Sequence, residues 1–208
     1  MSQRLVLFAA LFTAHAAIGA EINGCAITSD TLCVETDLSS ADLRGAYLAR
    51  AALRQSNLSS ANLAGANLFN ANMVMVNLTG ANLTGAILDK ADLKNATIVD
   101  AKLNESQLND TNLKSANLTR ANLTGAQLND ANLSGANLIQ AQFRDAKLQR
   151  ADLSGSMMTR SDFRGADMTG VKLNNATVEG ADLTGAVLND VDFSQVIGVC
   201  KGCPQANK

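Results

Sequence analysis

The sequence predicts an all-β solenoid, in which short extended segments are stacked as successive coils around one core. Three observations predict it. A large apolar residue recurs at every fifth position from Leu38 to Phe193, 32 times without a break in phase. A small residue lies two positions before each of them, and it is Ala in 23 of the 32 cases. Asn or Asp stands between the two in 19 of the 32 blocks, and the two closing positions are rich in Ser, Thr, Gly and charged residues.

A period of five excludes the regular alternatives. In an α-helix a step of five residues turns about 500°, so the large residues would spiral around the helix instead of forming one stripe. In a flat strand an odd step sends successive side chains to opposite faces. Each block therefore needs a corner: the small and the large residue face inward, the residue between them faces water, and the last two residues bend the chain.

Composition limits the class of protein. The 208 residues are 47% hydrophobic and 3% aromatic, and 17 basic against 19 acidic side chains give a net charge of -2. These values exclude a disordered tail, a collagen-like fibre and a strongly basic nucleic-acid binder. The single histidine, His15, lies in a segment that we expect to be removed. Catalysis that needs an imidazole is therefore not expected, and no cofactor or metal is predicted.

Residues 1–20 have the order of a secretory signal peptide: a charged start, an apolar run from Leu5 to Thr13, and small residues up to Ala20. Cleavage after Ala20 is favoured, and cleavage after Ala16 or Gly19 is the alternative. A membrane anchor would need about 20 apolar residues, which this segment does not supply.

Four cysteines lie at the two ends of the repeat, in the predicted N-terminal cap (21–35) and C-terminal cap (196–208). In an exported protein this arrangement predicts two local disulfides, Cys25 with Cys33 and Cys200 with Cys203. A zinc site would need all four thiolates around one ion, whereas the repeat separates the pairs. Thiol-disulfide exchange at Cys200 and Cys203 is the alternative role, since their C-x-x-C spacing is used for that chemistry, although no helix is predicted there.

The repeat resembles the pentapeptide-repeat family, whose pattern is A-(D/N)-L-x-x, in blocks such as Ala61-Asn62-Leu63-Ala64-Gly65 and Ala181-Asp182-Leu183-Thr184-Gly185. The resemblance covers residues 36–195. It implies a right-handed quadrilateral β-helix with one block on each side, four blocks in each coil and about eight coils. It also allows homodimers formed through the solenoid ends.

With four blocks in each coil, every residue stacks on the equivalent residue of the fourth block after its own. This register brings together exposed apolar residues, Tyr47, Phe69 and Ile87 on one face, with Val74 and Met75 around the next corner. Such a patch predicts a partner interface. The alternative is that the cap at 21–35 folds back and covers it.

The same register stacks Asp110 on Asp130, with Lys90 and Arg150 beside them. Two adjacent carboxylates raise the question of a cation site. The flanking cations instead favour a charge-compensated surface ladder.

The function expected from these features is that of a non-enzymatic, exported scaffold or structural spacer that contacts a protein partner, without nucleic acid and, after signal cleavage, without a membrane. Export predicts a periplasmic or extracellular location, or the thylakoid lumen in an oxygenic phototroph. The family also contains DNA mimics that protect topoisomerases. That alternative is disfavoured by export and by the 16 acidic and 14 basic residues that are mixed over the repeat.

Overall fold

The computed structural model describes residues 21–204. The signal peptide predicted for residues 1–20 and the end of the predicted C-terminal cap, residues 205–208, lie outside this range. The described part starts with two short antiparallel strands, β1 (Glu21–Ile22) and β2 (Cys25–Ala26), which form a hairpin. No helix within it is long and apolar enough to cross a membrane.

The solenoid is held together by isolated parallel β-bridges that join the blocks to the fourth block after them, with the exception of block 171–175. They run from Leu32–Ala52 to Thr177–Ile197, and a last bridge joins Asp182 to Lys201. Four blocks therefore complete one coil, and each coil has four sides. We number the faces by their residues in the first coil: face 1 (36–40), face 2 (41–45), face 3 (46–50) and face 4 (51–55).

The inner blocks share one pattern of hydrogen bonds. In the block around Leu83, the N–H of Leu83 donates to the carbonyl of Lys102 in the next coil at 2.7 Å. The N–H of Asn82 donates to Ala61 in the preceding coil at 2.9 Å, and the N–H of Ala86 closes the turn on the Leu83 carbonyl at 3.0 Å. The repeat thus supplies hydrogen-bond partners for the backbone N–H and C=O groups of a very short extended segment, as buried backbone groups require.

The turn explains why Asn and Asp are frequent beside the large residue. Their side chains accept a hydrogen bond from the N–H two residues further on, as in Ser39 to Asp37 at 3.0 Å and Thr79 to Asn77 at 3.1 Å. This Asx arrangement fixes the start of the turn. Asparagines also stack along the faces, with Asn77 Nδ2 donating to Asn57 Oδ1 at 3.2 Å.

The core is a single column of large and small side chains. Leu43, Leu83 and Leu128 are fully buried, and the rings of Phe143 and Phe163 stack with their centroids 4.6 Å apart. Some blocks carry Ser or Thr instead of Ala at the inward-facing small position. Most of these hydroxyls donate a hydrogen bond to a backbone carbonyl, including those of Ser56, Ser106, Thr111 and Ser161. Among the described residues, Ser156 Oγ is the buried side-chain atom without such a partner.

The two ends of the core differ. At the N-terminal end the block geometry extends back to residues 31–35, where buried Cys33 takes the place of the large residue and Leu32 pairs with Ala52. Leu38 and Leu43 are fully covered there. At the C-terminal end, the core residues Leu188 and Phe193 are only partly buried.

Candidate interaction surface

The exposed apolar residues predicted from the sequence lie where the four-sided register places them. Tyr47 bridges to Asn67, and Asn67 bridges to Ile87, so the three form one column on face 3. Phe69 lies next to this column, in the turn of the second coil. Tyr47 is 50% exposed and Phe69 37%, whereas Ile87 is partly buried.

Val74 and Met75 form the next corner of the second coil, on face 4. Met75 is 50% exposed and Val74 is partly buried. This turn is unusual, because in no other block between residues 36 and 195 are both turn positions occupied by large apolar side chains. We call the five residues Tyr47, Phe69, Val74, Met75 and Ile87 the apolar cluster.

The N-terminal cap packs against other parts of the first coil. The side chain of Asn23 donates to the Asp37 carbonyl on face 1 at 2.6 Å. Asp30 accepts two hydrogen bonds from the Arg50 guanidinium, each at 2.6 Å. Tyr47 keeps half of its surface exposed beside these contacts. The cap residues that the structure describes therefore leave the apolar cluster open to solvent.

Sequence reasoning missed two residues that extend this surface. Leu32 is 82% exposed and Val34 is 48% exposed, and both lie on face 4 in the block before the first coil. Residues 31–35 belong to the cap predicted from the sequence, and that prediction assigns no residue of the cap to a face of the solenoid. The signal was present, because Cys33 lies five residues before Leu38 and in phase with it.

Further exposed apolar residues lie toward the C-terminal end. They are not among the interface residues predicted from the sequence, and they are Met157, Val187, Ile197 and Val199. A concavity of about 280 Å³ lies at this end, lined by residues that include Phe193, Val196 and Cys203. The edge segments beside it lack a further coil, which explains why the core residues around them are only partly covered.

Ion pairs compensate many of the surface charges. Arginine forms salt bridges with Asp30, Asp42, Asp100, Asp130 and Asp162. The Arg164 guanidinium, helped by Arg144, holds the pKa of Asp162 well below its usual range. These pairs place opposite charges next to one another on the described surface.

One of the two aspartates considered as a cation site is engaged by an arginine. Asp130 is bound by the Arg150 guanidinium through two hydrogen bonds at 2.6 and 2.8 Å, which lowers the pKa of its carboxyl. In the part of the chain that the structure describes, no three His, Cys, Asp or Glu side chains come together as a possible metal site.

The structure brings the four cysteines together as two disulfides, Cys25–Cys33 and Cys200–Cys203, with Cα–Cα distances of 5.2 and 5.7 Å. Both distances are ordinary for disulfides. The first pair is buried under the first coil. Between the members of the second pair, the N–H of Lys201 donates to Ala181 at 2.9 Å, which attaches the last segment to the coil before it.

The fold and the block geometry define the class: a right-handed quadrilateral β-helix made of five-residue blocks. The profile for pentapeptide repeats matches the chain in eight copies, over residues 36–73, 61–98, 77–114, 98–135, 136–175 and 161–197. The chain belongs to the pentapeptide-repeat family.

Solved structures of the same family resemble the chain. HetL, involved in heterocyst differentiation regulation in the cyanobacterium Nostoc sp. strain PCC 7120, is 32% identical, with 82% of this chain and 88% of HetL covered and a TM-score of 0.49. A protein from the Arabidopsis thaliana thylakoid lumen is 33% identical, with 43% and 63% covered and a TM-score of 0.42. QnrB1, a plasmid-mediated fluoroquinolone resistance protein, is 14% identical, with 83% and 78% covered and a TM-score of 0.55. No curated protein sequence matches the chain.

Proposed function

We propose that the protein is an exported, non-enzymatic scaffold that presents the apolar cluster to a protein partner. The observation that carries this proposal is the exposure of Tyr47, Phe69 and Met75 on two adjacent faces of a rigid solenoid. Large apolar side chains grouped on a surface indicate an interface, whereas single ones do not. Aromatic residues and Met are also the types that are enriched at protein interfaces.

Export is supported by the residues at positions 1–20 and by the cysteines. Paired cysteines at both ends fit an oxidising compartment, which the periplasm and the extracellular space provide. The thylakoid lumen is the alternative compartment for a chain from an oxygenic phototroph.

The test is a double variant, Phe69→Ser with Ile87→Ser. Cross-linking in intact source cells, followed by mass spectrometry, identifies the proteins captured by the wild type and by the variant. We expect the variant to lose the main captured partner while its melting temperature stays unchanged, because both side chains lie outside the core column. Met157→Ser is the control, since Met157 is similarly exposed on another face. Equal capture by wild type and double variant would refute the interface.

A second copy of the chain is a further partner that we propose, at the C-terminal end. Leu188, Val191, Phe193 and Val196 are partly buried core residues there, around the concavity. Contact between two such ends would bury these core residues fully and would cover the unpaired edge segments of both copies. Light scattering on the purified mature protein measures its oligomeric state. We expect a dimer that the substitution Phe193→Asp converts to a monomer. A wild-type protein that stays monomeric at high concentration would refute the dimer.

A further inference from the structure

The apolar cluster adjoins a basic column on face 4. The first turn residue of this face is Val34 in the block before the first coil, and Arg54, Val74, Lys94 and Lys114 in the first four coils. Apolar and basic side chains therefore follow one another at the coil spacing, which is about 4.8 Å. Together with Leu32 and Met75 on the same face, we call these residues the basic-apolar strip.

The cations of the strip form no salt bridge, which is also true of five other described cations: Lys90, Lys102, Lys147, Arg160 and Lys172. Among the described residues, Arg54, Lys94 and Lys114 form none of the seven salt bridges, whereas six other arginines do. One acidic residue, Asp92, lies on face 4 between residues 51 and 115. Its Oδ1 accepts hydrogen bonds from the Lys94 N–H and the Asn112 side chain, so it serves the turn. Glu35 lies at the N-terminal margin of the strip.

Met75 supplies an independent observation. Its φ is 59°, in the left-handed region that the block geometry imposes on every closing position from Ser40 to Asp190. Every other closing position of the 32 blocks holds Gly or a polar or charged residue. Met75 is therefore an exposed apolar side chain at a position that otherwise carries Gly or a polar residue, and beside Val74 it adds to an apolar surface of the kind that marks a binding site.

The spacing identifies the shape of the partner. Along an extended strand, side chains on one side recur every ~6.8 Å, which would lose register with the coils within two steps. Along an α-helix, one stripe recurs every turn, about 5.4 Å, and stays close to the coil spacing of about 4.8 Å over the strip. Four coil steps span about 19 Å, which corresponds to a helix of about 13 residues.

We propose that the basic-apolar strip binds an acidic amphipathic helix of a partner protein. Its apolar residues would contact Val34, Val74 and Met75, and its carboxylates would face Arg54, Lys94 and Lys114. This inference rests on the proposed scaffold function and names the chemistry of the partner. Complementary charge also makes the association sensitive to salt.

The test uses a fluorescein-labelled helical peptide of about 18 residues, with Glu and Leu along one face and Ala elsewhere. Its affinity for the mature protein is measured by fluorescence anisotropy at about 20 and about 300 mM NaCl. A peptide with Lys in place of Glu and one with a central Pro are the matched probes. We expect the acidic helix to bind at least about tenfold more tightly than either probe, with weaker binding at high salt.

The variant Lys94→Glu with Lys114→Glu is expected to lose about tenfold or more in affinity, and Met75→Asn to weaken binding without loss of stability, since Asn tolerates positive φ. The control is Lys102→Glu with Lys147→Glu, which reverses two exposed lysines on other faces that likewise form no salt bridge among the described residues. Equal binding of the Lys peptide, or an unaffected charge-reversal variant, would overturn the inference.

Two further outcomes also overturn it. Equal binding of the Pro-containing peptide would show that the partner segment is not helical. Co-sedimentation with phosphatidylglycerol vesicles that depends on Lys94 and Lys114, without peptide binding, would show a lipid surface instead. If peptide binding fails while the Phe69 and Ile87 variant still loses its captured partner, the scaffold function stands and only this inference falls.

Discussion

At the scale of single residues, the closing position of each block decides which side chains the sequence tolerates. Every closing position from Ser40 to Asp190 has a positive φ, and Gly is the most frequent residue there. Val, Ile and Thr are absent from this position, although they occupy the preceding turn position in ten blocks. β-Branched residues are the least suited to the left-handed region, which explains the asymmetry.

The substitution Gly135→Val tests this explanation. The φ of Gly135 is 65°, and the nearest atom to an added Cβ, Ser115 Oγ, is 3.5 Å away, so backbone strain dominates over a clash. We expect the free energy of unfolding to fall by about 1–3 kcal/mol, measured by denaturant titration. Ser134→Val, one residue earlier, is the control and should change it by less than about 0.5 kcal/mol. Similar losses in both variants would contradict the explanation.

Asp162 provides a pH dependence. Its pKa is lowered from 3.8 by Arg164 and, more weakly, by Arg144, so the folded state favours the ionised carboxylate. A lowered pKa in the folded state means that this stabilisation is complete above the unfolded pKa and is lost as the pH falls below it. We expect thermal melting temperatures to fall more steeply below about pH 4 in the wild type than in Asp162→Asn. Parallel pH profiles of the two proteins would contradict this role.

At the scale of the elements, coil and caps differ in how far the sequence predicted them. The coil followed from the five-residue phase, because the large residue and its small neighbour must share one face. The number of sides did not follow from the phase and needed the family resemblance; the bridges between each block and the fourth block after it confirm it. The boundary between the cap and the first coil depends on whether Cys33 is counted as a core residue. A cysteine indicates a buried position in the repeat less clearly than Leu does, so the sequence left this boundary undecided.

The N-terminal disulfide should stabilise its cap more than the C-terminal one. The Cys25–Cys33 pair closes a loop with a sequence separation of 8, against 3 for Cys200–Cys203. We expect Cys25→Ser with Cys33→Ser to lower the free energy of unfolding by about 2–3 kcal/mol under oxidising conditions, because the unfolded chain gains freedom. The matched variant, Cys200→Ser with Cys203→Ser, should lose less. A wild-type protein whose unfolding is unchanged by a dithiol reductant would contradict both expectations.

At the scale of the whole molecule, stability comes from stacking, since no coil can bury its own core. Each inner coil has neighbours on both sides, and its backbone bonds go to those neighbours. The candidate surface was only partly predictable on this scale. Tyr47, Phe69 and Met75 could be predicted because their positions in the five-residue repeat face outward. Whether the cluster is exposed to solvent depends on where the cap lies, and the periodicity of the sequence gives no information on that.

Leu128→Asp tests the stacking. Leu128 is fully buried in a middle coil, and a carboxylate there would lack a partner. We expect the variant to lose cooperative thermal unfolding, measured by circular dichroism. Gln127→Asp, at the neighbouring outward position, should melt like the wild type. Native-like melting of Leu128→Asp would contradict an inward-facing side chain.

The pairing of each block with the fourth block after it has a consequence for how such a chain tolerates changes in length. Gaining or losing whole coils keeps every outward column aligned. Gaining a single block preserves the core, since all blocks are alike inside, but rotates everything downstream by a quarter turn. A block inserted between Arg54 and Lys94, for example, would place these two residues on different faces. Recognition in this architecture is therefore more vulnerable to insertion and deletion than folding is.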